Sequence, residues 1–144
     1  MGYDPKFFGV DGMDGILDLE GFDTSLAEGV MLLTPYSADS KDEKSAAFTA
    51  KYEEKFGDIP TQFSADTYDC VYVIYQALKD GVINADMSAE EICEAMIAYM
   101  PTATVDGVTG VMTWNAAGEV SKTPYAAVIK DGAYVGADNV EEAQ

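Results

Sequence analysis

The residues best placed to do chemistry lie in the stretch Phe7-Phe8-Gly9-Val10-Asp11-Gly12-Met13-Asp14-Gly15. Its first half reads as a buried strand, aromatic and β-branched, following a proline that cannot sit inside one. The run stops abruptly in Asp11, Gly12, Asp14 and Gly15. In an open α/β sheet such a strand end is the edge where ligands bind. Glycine lets the backbone approach a ligand closely, and an aspartate offers a charge at a fixed place. The same residues also read as an ordinary turn with no ligand.

Other chemistries are excluded by composition. There is no histidine, so neither a Ser-His-Asp nor a Cys-His nucleophile can be assembled, and the commonest metal ligand is missing. The formal charge is −18, from 26 acidic and 8 basic residues. Nucleic acid and anionic membrane surfaces both need the opposite sign. Cys70 and Cys93 lack a CxxC neighbour and lie in apolar helical patterns, so free buried thiols are expected and zinc or thioredoxin chemistry is not. No apolar run is long enough to cross a membrane. The start, Met1-Gly2-Tyr3-Asp4-Pro5, has neither the basic region nor the apolar core of a signal peptide.

The elements that must position the acids follow from periodicity. Residues 16–22 read as a short helix or irregular turn, with Thr24 or Ser25 as a cap beyond it. Gly29 to Thr34 is continuous and apolar, as for a strand buried on both faces. A helix is predicted from Asp42 to Phe56, with Ala46, Ala47, Phe48, Ala50, Tyr52 and Phe56 inward and Gly57 ending it. A second, from Ala65 to Lys79 with Ser64 as cap, is apolar nearly all round and should be the most buried. Asp66 and Asp69 in its first turns fit helix-dipole complementation. Ser88-Ala89-Glu90-Glu91 is a capping box for a third helix reaching Met100, its inner stripe Ile92, Cys93, Ala95, Met96, Tyr99 and Met100. From Val108 the pattern turns to strands: 110–114, 125–130, and a return through Tyr134 and Val135 after an Asp131-Gly132 hairpin turn. From Asp138 the tail is acidic and expected to fray. Two early strands cannot cover three helices, so apolar faces are left wanting partners.

The chain resembles the C-terminal part of a type I periplasmic-binding protein, of the branched-chain amino acid group of ABC transporter solute receptors. The resemblance rests on Phe7 to Gly12, on Ala27-Glu28-Gly29-Val30, and on the Phe-x3-Tyr-x3-Phe-Gly of 48–57. It continues in Thr67-Tyr68-Asp69-Cys70, and in Gly107-Val108-Thr109-Gly110 followed by Thr113-Trp114-Asn115 and Gly118. These pieces keep the family's order over most of the chain.

The resemblance implies an α/β fold of the flavodoxin-like, two-lobe kind, with parallel strands, flanking helices and a C-terminal β-hairpin, here as a fragment lacking the N-terminal half. Residues 1–34 and 105–144 would belong to one lobe and 35–104 to the other. It implies an extracytoplasmic receptor that clamps an amino acid between its lobes and delivers it to a membrane permease, with no covalent chemistry and no cofactor. Asp11 matches the acid that receives the ligand's α-ammonium, and Gly12 the glycine beside it. Aspartate is one methylene shorter than the Glu of leucine-type receptors, a departure that bears on which amino acid is taken. Phe63 matches an aromatic that packs on the ligand side chain, and it equally reads as core filling. Met13 and Tyr68 are further candidates. As a fragment the chain is expected to bind ligand weakly or not at all, and its unpartnered apolar faces favour self-association. The competing expectations are a small flavodoxin-like acidic domain whose Asp11, Asp14, Asp18 and Glu20 hold Mg or Ca, although their spacing is not that of an EF-hand loop, and a purely structural module that pairs with itself.

Overall fold

The computed structural model describes residues 5–137. It is mixed α/β, with parallel and antiparallel strands, and divides into two compact units. One comprises residues up to Ala65 together with those from Pro124, the other Asp66–Thr123.

In the first unit, β1 (Phe8–Gly9) lies parallel to β2 (Met31–Thr34). Antiparallel β6 (Tyr125–Lys130) and β7 (Ala133–Gly136) complete a four-stranded sheet in the order β1-β2-β6-β7. The β6–β7 turn is the expected one, with Asp131 at φ 52° and Gly132 at 77°. Both values are needed by a two-residue hairpin turn whose twist matches its strands. Between β1 and β2 the chain makes three 3-10 turns, Asp11–Met13, Ile16–Asp18 and Thr24–Ala27, the last capped by Asp23 rather than by Thr24 or Ser25. These turns cover one sheet face. Ala27, Val30, Leu32 and Ile129 form the core, with Met13, Ile16, Leu17, Phe22 and Tyr134 packed on it.

The other sheet face is open. Along β2, Leu32 and Thr34 are buried while Met31 and Leu33 are exposed, so this strand is covered on one side and not on two. Phe8, in register with Met31, is exposed as well.

Helix α1 (Glu43–Phe56) is capped by Asp42, whose Oδ1 accepts from Lys44 N and Ser45 N at 3.1 and 3.0 Å. It ends at Gly57 in the left-handed region. The residues it buries are Ser45 and Thr49, not the alanines. Thr49 shares a 2.5 Å hydrogen bond with the hydroxyl of buried Tyr36. A row of rings, Tyr36, Phe48, Tyr52 and Phe56, runs beside that contact.

Helix α2 (Gln62–Lys79) starts three residues earlier than the sequence indicates, and it runs from the first unit into the second. With α3 (Ala89–Tyr99) and the antiparallel sheet β3 (Thr104–Gly107), β4 (Gly110–Trp114) and β5 (Val120–Ser121), it builds the second unit. Strands β3 and β5 were not expected. The capping box of α3 is formed as expected, Ser88 Oγ accepting from Glu91 N and Glu91 Oε2 from Ser88 N. The core is Val73, Val105 and Met112, with Met96, Met100 and Trp114 against it.

Two expectations fail here. Val71, Tyr72, Ile74, Tyr75 and Leu78 of α2 are exposed, so the helix is not the most buried element. An apolar helix buries only the faces its own chain can cover. Cys70 and Cys93 are free, as expected, but exposed rather than buried. Asp66 and Asp69 do more than complement a helix dipole. Asp66 pairs with Lys122 at 2.7 Å, and Asp69 binds a distant turn. The segment from Asp138 lies outside the described residues.

Candidate functional site

Asp11 sits where the sequence placed it, one residue beyond Val10 at the carboxyl end of β1, and it is exposed. Its turn is closed by Met13 N donating to Val10 O and Asp14 N to Asp11 O, both at 2.9 Å. Gly12 is exposed, with open space where a side chain would stand. Met13 turns back over β1. A Cβ added to Gly9 would lie 2.1 Å from the Met13 sulfur and 3.1 Å from Leu32 Cδ2. A side chain at Gly9 would displace the flexible Met13 side chain, which packs on the core cluster.

Asp14 is half-buried. Its Oδ2 accepts from Gln62 N at 2.7 Å, giving the first turn of α2 an acceptor for one of its unpaired amides. Burial raises its pKa, against the lowering effect of the Gln62 and Gly15 amides, and the nearby Asp18 charge raises it further. Tyr134 secures the next residue, its hydroxyl accepting from Gly15 N at 2.9 Å. Burial pushes that phenol's pKa up.

Gln62 was not singled out from the sequence. A polar residue after Pro60-Thr61 looks like linker, and its partners are 28 to 51 residues away. It is buried. Nε2 donates to Asp11 O at 2.9 Å, and Oε1 accepts from Thr34 Oγ1 at 3.1 Å. Thr34, at the end of β2, also contacts Tyr36 O and accepts from Tyr36 N.

These residues border a cleft of about 300 Å³ within the first unit. Its walls are apolar at Leu17, Leu32, Ile59 and Pro60, and acidic at Asp11, Asp14, Asp18, Asp39, Glu53 and Asp58. Among the described residues no lysine or arginine lines it. Such a cleft complements a positive group rather than an anion.

Of the other candidates, Phe63 is exposed and follows Gln62 directly. Tyr68 belongs to the second unit. Its ring lies 4.7 Å from that of Tyr72, and its hydroxyl donates to the Tyr72 hydroxyl at 3.1 Å. That hydrogen bond, with partial burial, pushes the pKa of Tyr68 up to about 12. Asp11, Gly12 and Met13 thus share one turn, Phe63 adjoins the residue anchoring it, and Tyr68 stands in a separate unit. Among the described residues no group of three or more His, Cys, Asp or Glu is arranged to hold a metal ion.

The periplasmic binding protein family matches residues 1–143 of the sequence. The chain belongs to this family. None of the curated proteins matches it. Among solved structures, the leucine-binding protein LivK of Thermotoga maritima is 22% identical with a TM-score of 0.71, covering 94% of this chain and 37% of its own. The Streptococcus pneumoniae branched-chain amino acid substrate-binding protein LivJ, in complex with isoleucine, is 24% identical with a TM-score of 0.73, covering 94% and 38%. A solute-binding protein of an R. palustris ABC transporter, in complex with benzoate, is 18% identical with a TM-score of 0.65, covering 92% and 35%. This periplasmic-binding chain therefore has the family fold over about 37% of the length of LivK from T. maritima.

Proposed function

We propose that the chain is the C-terminal part of an extracytoplasmic solute receptor that serves an ABC importer, and that the receptor takes a branched-chain or related amino acid. The chain contributes segments to two lobes. Residues 1–34 and 105–144 are assigned to one lobe and 35–104 to the other. The partners are the small solute and a membrane permease. No reaction is catalysed.

The observation that carries this reading is the Asp11 turn: an exposed carboxylate at the carboxyl end of β1, its main chain held from behind by a buried amide, in a cleft lined by acids and no base. A carboxylate so held makes short, charge-assisted hydrogen bonds to an ammonium. Of the structures similar to this chain, one contains isoleucine and another benzoate. Asp11 favours the first, because a zwitterion brings a positive end and benzoate brings only a negative one. Gly12 leaves room for the ligand beside Asp11, and Phe63 is the aromatic proposed to pack on its side chain. Met13 serves from behind, as packing under the turn.

The experiment is to read the gene upstream and express its complete reading frame. An upstream extension with a secretion signal is expected, and a protein that binds leucine, isoleucine or valine calorimetrically. A stop codon directly before the Met1 codon, or tight binding of benzoate with none of the amino acids, would contradict the proposal. The isolated chain is expected to self-associate through its open apolar faces, Phe8, Met31 and Leu33 on the sheet and the outer face of α2. A clean monomer by light scattering at high concentration would remove that part.

A further inference from the structure

Gln62 is 1% exposed although it opens a helix. Burying a primary amide is costly unless both ends are paired. Both are, and the pairing converges on the Asp11 turn. The Asp11 carbonyl accepts from Asp14 N within the turn and from Gln62 Nε2 outside it, each at 2.9 Å, so both its lone pairs are engaged. The other end of the amide lies 3.1 Å from the Thr34 hydroxyl at the end of β2, whose one proton it shares with Tyr36 O at 2.9 Å. The backbone N–H of Gln62 meanwhile holds the turn's second acid, Asp14. One residue thus grips the turn at two points and ties it to the sheet.

We propose that Gln62 is a positioning residue for ligand recognition: it fixes the Asp11 turn so that the carboxylate is already in place for a ligand ammonium. This rests on the ligand role of Asp11 proposed above. The physical need is plain. The turn is a single three-residue 3-10 segment, a form with poor hydrogen-bond geometry. Left to itself it would sample several orientations, and binding would have to order it. A preformed turn removes that cost.

Gln62→Met tests this. It keeps length and volume and removes both polar ends of the side chain, while the backbone contact with Asp14 survives. In the 144-residue chain, the Asp14 amide is expected to exchange about tenfold faster than in the parent, with the Ile129 amide of the core unchanged. In the full-length receptor, the isoleucine Kd is expected to rise about tenfold, the size of one lost hydrogen bond. In an Asp11→Ala background the same change should add nothing, since Gln62 acts through Asp11. If Gln62→Met does not fold, Thr34→Val loosens the other end of the amide and should move both readouts in the same direction, by less.

An equal loss of affinity in both backgrounds, or Asp14 exchange that does not change, overturns the positioning role. So does a loss in Asp11→Ala with none in Gln62→Met, which leaves the ligand role of Asp11 standing. Affinity unchanged by Asp11→Ala overturns that ligand role and this inference with it.

Discussion

Asp69 offers a sharp test of how the second unit is held together. It is 1% exposed, and its carboxylate accepts from Val108 N at 2.8 Å, Thr109 N at 2.9 Å and Thr109 Oγ1 at 2.6 Å. The contact pins the turn between β3 and β4 to helix α2. A hydrogen bond to a charged group contributes about 1.5–3 kcal/mol, and a buried donor left without a partner costs a comparable amount. The three bonds share one charge and one desolvation cost, so they do not add. Asp69→Ala is expected to cost about 3 kcal/mol, the upper end for a hydrogen bond to a charged group, since neutral donors lose their partner while the buried charge itself is removed. Domain stabilities are about 5–15 kcal/mol, so the variant should lose a large part of the unit's margin. Trp114 is the sole tryptophan and packs on this unit's core, so urea denaturation followed by its fluorescence reports on this unit. Gly107 supplies the control. A Cβ there would lie 2.3 Å from Asp69 Oδ2 and 2.5 Å from its Cγ. The carboxylate is tethered and cannot withdraw without breaking its bonds, so Gly107→Ala should cost about 1–3 kcal/mol by overpacking. In the Asp69→Ala background that cost should vanish. Strictly additive losses, or an Asp69→Ala variant within about 1 kcal/mol of the parent, smaller than one charged hydrogen bond, would refute the reasoning.

Two carboxylates should titrate in opposite directions from the ordinary aspartate value, as read by carboxyl NMR. Burial raises Asp14, so its contribution to stability is fully present below the ordinary value and lost as pH rises through its own. Asp42 is lowered, first by the Ser45 amide, so its contribution is present above the ordinary value and lost as pH falls through its own. Tyr72→Phe removes the acceptor of the Tyr68 hydroxyl, and an ultraviolet titration should then find the Tyr68 pKa lowered from about 12 toward the ordinary tyrosine range. An unchanged value would mean that burial, not the hydrogen bond, sets it.

What was legible in the sequence was local. The Ser88–Glu91 capping box, the Gly57 helix end and the Asp131-Gly132 turn are each set by a few neighbouring residues, and each is found. The strand before Asp11 and Gly12 also stands where the pattern placed it, but it is not the buried strand expected, because Phe7, Phe8 and Val10 are exposed. Long-range polar contacts were not legible. The start of α2 depends on Asp14, 48 residues earlier, and the place of Asp69 on a turn 39 and 40 residues later. Helix α1 turns Ser45 and Thr49 inward because Tyr36 and Asp42 offer them partners, which no apolar pattern reveals. The apolar α2 misled for a different reason: its composition shows that it has faces to bury, not whether this chain covers them. Gln62 carried no signal beyond being polar between Thr61 and Phe63.

The central claim is that Asp11 meets the positive end of an amino acid. It is tested most directly by calorimetry on the full-length receptor, with isoleucine and with its 2-hydroxy analogue, which keeps the side chain and carboxylate but has no ammonium. The parent should favour isoleucine by about 100-fold, the scale of a buried charge-assisted contact, and Asp11→Ala should lose most of that preference. Equal affinity of the parent for the two ligands, or a preference that survives Asp11→Ala intact, would contradict the claim.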